Sequence, residues 1–232
     1  MADNFDYIEK NLHEIRERIN NAKLKRDNKY NKEVRLMAVT KTVPVEKINF
    51  AISRGINLIG ENRVNELLEK YDGLAKDNLE IHFIGNLQTN KVKYIIDKVN
   101  MVQSVNSVKL AEEINKRANL INKITDVLIE INIGGEESKT GIGESDYLEL
   151  IDRIKDFKNI RIRGLMTIPP FEASLDSAEI KKYFNKMREI YGGISIGADI
   201  LSMGMSEDFE EAIECGSDMI RIGRGIFGER KQ

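Results

Sequence analysis

From residue 34 onward, short runs of apolar and β-branched residues alternate with longer amphipathic segments, and this alternation constrains the fold more than any other feature. Strand-like runs fall at 34–41, 56–61, 79–85, 101–105, 125–133, 160–168, 200–204 and 219–223. Segments at 45–54, 63–75, 88–99, 107–120, 146–157, 177–191 and 207–215 carry apolar residues at helical spacing. Near-continuous apolarity is what a sheet buried on both faces requires. Eight strands, each but the last followed by a helix, match an α/β fold of the (β/α)8 TIM barrel type. A doubly wound open sheet is the alternative, and counting strands does not separate the two. Ser145 and Ser206 stand where helix N-caps are expected, Gly55 and Gly216 where C′ glycines are expected.

Ahead of the alternating region, Ile8, Leu12, Ile15, Ile19 and Ala22 form a narrow apolar stripe on a charged segment. The stripe lasts two heptads, too few for a coiled coil, and is expected to dock on the main domain. Residues 25–32 read as a polar connector. The prediction is a single domain over 1–232, with an additional N-terminal helix over about 5–24 and the barrel over about 34–228.

Composition narrows the function by exclusion. Lysine and arginine (36) nearly balance aspartate and glutamate (38), so no net field draws the chain to nucleic acid or an anionic membrane. Cys215 is the only cysteine, which excludes a disulfide framework and suits a reducing compartment. No signal peptide and no stretch of about 18 apolar residues is present, so a cytoplasmic protein is expected. One cysteine and two distant histidines offer no transition-metal site. His13 reads as a helix-face residue and His82 as a structural one. Met101, Met166, Met203 and Met205 read as barrel filling.

Polar groups gather at the carboxyl ends of the strands: Lys41, Glu61-Asn62-Arg63, Gly85-Asn86, Ser104, Asn132, Thr167, Ser202 and Arg221. In a barrel all those ends meet on the face where active sites are built. Lys41 ends the first apolar run, just before Thr42-Val43-Pro44. A partly desolvated amine loses basicity and becomes a Schiff-base candidate, while a plain surface lysine is the competing reading. After the seventh run, Ser202-Met203-Gly204-Met205-Ser206 leads into a helix, and Arg221-Ile222-Gly223-Arg224-Gly225 leaves the eighth. Backbone N–H groups and a hydroxyl there suit a phosphate, which barrels often bind after strands seven and eight. Amine and phosphate cradle become neighbours once the barrel closes, and an aldehyde-bearing phosphate, pyridoxal 5′-phosphate, satisfies both. Gly223, Gly225 and Gly228 match G-x-G-x-x-G, but the dinucleotide fingerprint needs a further helix and strand, and four residues follow Gly228. Residues 134–141 read as a mobile loop over the face, with Lys139 as a solvated loop charge.

With those motifs in hand, the chain resembles the pyridoxal-phosphate homeostasis protein family, a barrel related to the cofactor domain of alanine racemase. The match runs from about Val34 to Gly228 through Ala38-Val39-Thr40-Lys41-Thr42, Gly60-Glu61-Asn62-Arg63-Val64, His82-Phe83-Ile84-Gly85-Asn86, Arg163-Gly164-Leu165-Met166, Leu201-Ser202-Met203-Gly204-Met205-Ser206 and Arg221-Ile222-Gly223. The resemblance implies that Lys41 bonds covalently to the cofactor, and that Ser206 and the backbone around Gly223 and Arg224 hold its phosphate. It also implies that Arg221 lies near the pyridine nitrogen, which weakens the ring as an electron sink. Asn62 and Ser202 are carried over on strand-end position and motif membership. The family usually has a hydroxyl residue after Arg-Ile-Gly; here it is Arg224, whose guanidinium offers an alternative partner for the phosphate.

The resemblance implies a role in vitamin B6 and amino-acid homeostasis with no established catalysis, with apo-enzymes that use the cofactor as candidate recipients. Racemisation needs an acid/base group on each face of the ring, and in racemases the second comes from a β-domain after the barrel and from a partner chain. Here little follows the eighth strand, so a monomeric carrier is expected. The alternative is a pyridoxal-phosphate-dependent racemase or related amino-acid enzyme; a lysine barrel acting on sugar phosphates is a third reading.

Overall fold

A computed structural model describes residues 5–27, 30, 32–136 and 139–229. Eight parallel strands close a barrel in sequence order: β1 (Arg35–Val39), β2 (Leu58–Glu61), β3 (Glu80–Phe83), β4 (Met101–Val105), β5 (Thr125–Ile131), β6 (Ile160–Thr167), β7 (Ile200–Ser202) and β8 (Met219–Ile222). Closure is made by β1 on β8, with Met37 opposite Arg221 and Ala38 opposite Ile222. The open-sheet alternative is thereby excluded.

The helices are α1 (Asp6–Leu24), α2 (Val45–Ser53), α3 (Val64–Tyr71), α4 (Val92–Ile95), α5 (Val108–Leu120), α6 (Tyr147–Ile154), α7 (Ser177–Gly192), α8 (Phe209–Glu214) and α9 (Arg224–Phe227). Three expectations change. The helix expected over 88–99 shrinks to a 3-10 turn (Thr89–Lys91) and the single turn of α4, because Thr89 and Asn90 are poor helix formers at its start. The last strand, expected to lack a helix, is followed by α9. Neither predicted serine caps a helix. α6 begins after Asp146 and α8 after Asp208, and the Ser145 hydroxyl donates instead to the Asp146 carboxylate. Gly55 and Gly216 end α2 and α8 in the left-handed region, with φ of 89° and 96°, as C′ glycines do.

All five stripe residues of α1 are buried. The helix lies against α2, α8 and α9, and is fastened by Asn11, whose amide donates to the Ile226 carbonyl at 3.0 Å. It therefore packs behind the strand exit that carries Arg224. Of the polar connector, residues 28, 29 and 31 lie outside the described set, as do 137 and 138 of the expected loop. Arg26, within that connector, is buried and paired with Asp218 at 3.3 Å. His13 is an exposed helix-face residue paired with Glu17, as expected.

Two apolar clusters divide the molecule. The larger lies between strands and helices; the smaller fills the barrel with Met37, Leu58, Met101, Leu128, Met166 and Met219 among others. Met101 and Met166 fill the barrel as expected, whereas Met203 packs in the outer layer. The barrel also encloses polar side chains. His82 is fully buried, and its Nε2 lies 3.3 Å from the Glu80 carboxylate, which pairs with Arg35 at 2.8 Å. The imidazole bond, opposed by burial and assisted by Arg35, holds the Glu80 carboxyl at about 2 against an ordinary 4.5.

Two predictions follow from this packing. Leu12→Ala empties a fully buried site on the α1 seam and is expected to cost about 2–5 kcal/mol in urea unfolding. A depressed carboxylate contributes stability above its unfolded pKa and loses it as pH falls through the folded one. Glu80→Gln should thus be less stable than wild type at neutral pH, and the gap should close between about 4.5 and about 2 in denaturation series.

Candidate functional site

Lys41 does not end a strand; β1 stops at Val39, and Lys41 occupies a tight turn closed by the Val43 amide donating to the Thr40 carbonyl at 3.0 Å. The next residue, Thr42, has φ of 63°, a left-handed conformation that a β-branched residue adopts only when its surroundings impose it. Those surroundings come from β2 and α3. The Lys70 ammonium donates to the Thr40 carbonyl and the Glu61 carboxylate, both at 2.8 Å, and to Glu66 at 3.2 Å. The Thr40 hydroxyl donates to Glu61 at 2.6 Å and the Thr42 amide to Glu66 at 2.7 Å. Both neighbours of Lys41 are thus gripped by one partly buried ionic cluster. Burial alone would raise the Glu66 carboxyl, but the Thr42 amide and Lys70 hold it below its usual range. Lys41 itself is half-buried.

Closure of β1 on β8 sets this turn beside the exit of the last strand. A cavity of about 170 Å³ is lined by Lys41, Asn62, Ser206, Arg221, Gly223 and Arg224, six of the seven predicted site residues. A second cavity of about 240 Å³ shares Lys41, Gly223 and Arg224 and adds Pro44, Lys47 and Phe227. Ser202 lines neither. It is fully buried below the mouth, and its hydroxyl accepts from Arg221 Nη1 and donates to Gln103 Oε1, each at 2.8 Å.

Each lining residue has a local cause. Asn62 follows β2 and is seated by Gly85, where an added Cβ would lie 2.0 Å from the Asn62 carbonyl oxygen. Its own Oδ1 is buried with no hydrogen-bond partner among the described residues. Such an oxygen calls for a donor. Ser206, released from capping, accepts from the Gly225 amide at 3.4 Å. The true N-cap residue, Asp208, borders the cavity and accepts from the Met205 amide at 2.6 Å, while burial raises its carboxyl. The Arg224 guanidinium pairs with Glu207 at 3.0 Å. Arg221 is fully buried, and burial brings it down to about 10 against the opposing charges of Asp208 and Glu130. Burial likewise raises Glu130, which accepts from Thr140 at 2.6 Å and so ties down the loop after β5. Lys139 in that loop donates to the Pro169 carbonyl at 3.1 Å.

Several participants escaped the sequence reading. Met205, assigned to barrel filling, borders the cavity, as do Phe171 and Ser174 from the connection after β6. Glu66 and Lys70 were legible in principle, since a Glu–Lys pair at i, i+4 marks one helix face. Asn132 and Thr167 serve the scaffold: the Asn132 amide donates to the Glu136 carbonyl and the Thr167 hydroxyl to the Ile131 carbonyl. Cys215 is buried and its thiol pushed up to about 11 by that burial, which suits an inert residue. Among the described residues no three His, Cys, Asp or Glu side chains gather as a metal site, and no helix is long and apolar enough to cross a membrane.

Comparison with known proteins places the geometry in context. The family "alanine racemase, N-terminal domain" matches residues 6–231. The pyridoxal phosphate homeostasis protein of Aquifex aeolicus is 46% identical over 202 residues, covering 85% of this chain and 87% of that one. The protein of the same name from Escherichia coli K12 is 35% identical, covering 96% and 97%. The structure of PipY from Synechococcus elongatus with pyridoxal phosphate bound superposes with a TM-score of 0.82 at 27% identity, over 95% of this chain and all (100%) of that one. Alanine racemase from Clostridium difficile shares the fold at 17% identity, with a TM-score of 0.69 over 93% of this chain and 59% of its own.

The ionic cluster generates a prediction. Lys70→Met leaves Glu61, 1% exposed, without its counterion and Glu66 with Arg63 alone, and should cost about 3–5 kcal/mol in chemical denaturation. Adding Glu61→Gln should recover part of that loss, because the uncompensated charge is gone.

Proposed function

We infer that the chain, which belongs to the pyridoxal phosphate homeostasis protein family and contains the alanine racemase N-terminal domain, binds pyridoxal 5′-phosphate and serves intracellular cofactor and amino-acid homeostasis. The observation that carries the reading is the convergence of the Lys41 amine, the Ser206 hydroxyl and the exit of β8 around one cavity. When bound, the cofactor supplies an aldehyde that condenses with a lysine amine, releasing water, and a ring able to accept electrons.

The residues present fit that group. Lys41 supplies the amine for a covalent link, and the clamp on Thr40 and Thr42 fixes where that amine starts. The Ser206 hydroxyl and the backbone N–H groups of Gly223 and Arg224 supply donors for a phosphate. The Arg224 guanidinium is engaged by Glu207, so its contribution is the main chain. Arg221 serves the ring nitrogen, Asn62 with its unpartnered Oδ1 takes a polar edge of the ring, and Ser202 supports Arg221 from below.

Carriage rather than turnover is the role that the cavity favours. A racemase needs a proton-transferring group on the face of the ring away from the lysine. Among the described residues no histidine, tyrosine or cysteine lines the cavity; Glu207 is engaged by Arg224 and Asp208 by the Met205 amide. Names of the relatives agree in describing homeostasis. We read the protein as a cytoplasmic monomer that holds the cofactor for apo-enzymes.

The test is direct. Loading with pyridoxal phosphate, reduction with borohydride and peptide mass analysis should place one adduct on Lys41. Lys41→Ala should abolish it while leaving weak, phosphate-driven binding. An adduct on another lysine refutes the assignment, and exchange of an amino acid's α-proton with deuterated water by the loaded protein would favour the enzymatic alternative.

A further inference from the structure

Arg221 carries its charge in the barrel without a carboxylate at hydrogen-bond distance among the described residues. Its acceptors are neutral: Ser202 Oγ from Nη1 and the Thr167 carbonyl from Nη2, both at 2.8 Å. A serine hydroxyl has one proton to give, and that of Ser202 goes to Gln103 Oε1 at 2.8 Å. With its oxygen accepting, Gln103 turns its amide nitrogen to His82 Nδ1 at 2.9 Å and to the Met219 sulfur at 3.1 Å. Nδ1 must then accept, which puts the imidazole proton on Nε2, facing the Glu80 carboxylate at 3.3 Å. Glu80 is tied in turn to Arg35 at 2.8 Å. Burial favours the neutral imidazole that this order requires.

The chain of donors therefore runs one way, from Arg221 beside the cavity to Glu80 at the opposite end of the barrel. The reverse order fails at both ends. A flipped Gln103 would aim two donors at Ser202 and leave the serine proton without an acceptor. It would also force the His82 proton onto Nδ1, setting a bare Nε2 against the Glu80 carboxylate. Four buried side chains from β3, β4, β7 and β8 thus share a single consistent polarity.

We propose that Gln103 and His82 are positioning residues for Arg221: by keeping a Ser202 lone pair toward the guanidinium, they set its orientation against the ring nitrogen of the bound cofactor. The proposal rests on the reading of Arg221 given above, and the experiment separates the two. Affinities are measured for pyridoxal phosphate and for its benzene counterpart, in which C–H replaces the ring nitrogen. A hydrogen bond to a charged donor predicts that wild type prefers the pyridine ligand by about tenfold or more. Gln103→Leu should erase most of that preference while leaving affinity for the benzene ligand in place. Ser202→Ala should lose it as well.

Equal weakening toward both ligands in Gln103→Leu, or retained preference in Ser202→Ala, would mean packing alone and would overturn the proposal. A wild type that does not distinguish the ligands would instead sink the ring-nitrogen reading on which it stands. Nitrogen-15 spectra of the unliganded protein provide an independent readout, since the chain has only two histidines. His82 should carry its proton on Nε2; a proton on Nδ1 would overturn the chain of donors.

Discussion

Everything at the mouth of this barrel depends on how β1 meets β8. Pairing of Met37 with Arg221 and of Ala38 with Ile222 is a matter of backbone register, and a shift of one residue would turn Arg221 out of the barrel. Because the register holds, the turn carrying Lys41 and the exit carrying Gly223 face one cavity although they lie at opposite ends of the chain. Packing of α1 across α8 and α9 then supports this seam from outside. A helix that reads as an appendage in the sequence is better understood as backing for the last strand's exit.

The barrel interior follows two regimes. Much of it is methionine, leucine and isoleucine, which is how a small parallel barrel fills its centre. Through that filling runs a polar seam of His82, Gln103, Ser202 and Arg221, all at most 3% exposed. Buried polar groups are tolerable only when each is satisfied, because an unmet donor or acceptor costs roughly 1–3 kcal/mol. The seam meets this condition, and the clamp around Lys41 largely meets it, Glu61 Oε2 being left without a partner among the described residues. Apart from Arg221, which lines the cavity, the members of both systems named here lie behind the residues that face it. Their common effect is to remove freedom from Arg221 and from the Lys41 turn before any ligand arrives, which lowers the ordering cost of binding.

The strand count, the helices other than those after β3 and β8, and the clustering of polar residues at strand ends were legible in the sequence, because period and strand-end position are local properties. Lys41, Arg221 and Gly223 could be paired from that reading once closure was assumed. What stayed hidden depends on distance in space. Ser202 and Arg221 both sit at strand ends, yet one lines the cavity and the other lies beneath it, a difference of depth that spacing does not encode. Ser206 has the chemistry of an N-cap, but the turn runs on to Asp208 before α8 begins, and this frees the hydroxyl for the mouth. Glu61 stood in a recognised motif, but its partner Lys70 lies on the following helix and emerges only from the fold.

Arg224 gives this physical picture a sharper edge. A bulky, charged side chain where relatives are expected to carry a hydroxyl would disrupt a site built from side-chain donors. At this position the guanidinium is drawn off to Glu207, and both groups are about half exposed, so the pair is a surface one that adds little to stability. The main chain from Gly223 to Gly225 keeps its course regardless: the Gly225 amide still reaches Ser206, and an added Cβ at Gly225 would lie 2.9 Å from Ile222. Anion binding that draws on backbone N–H groups is insensitive to the side chain hung on that backbone, provided the side chain finds a partner elsewhere. Glu207 is that partner here, so the Arg224 side chain is held aside while the main chain from Gly223 to Gly225 keeps its course.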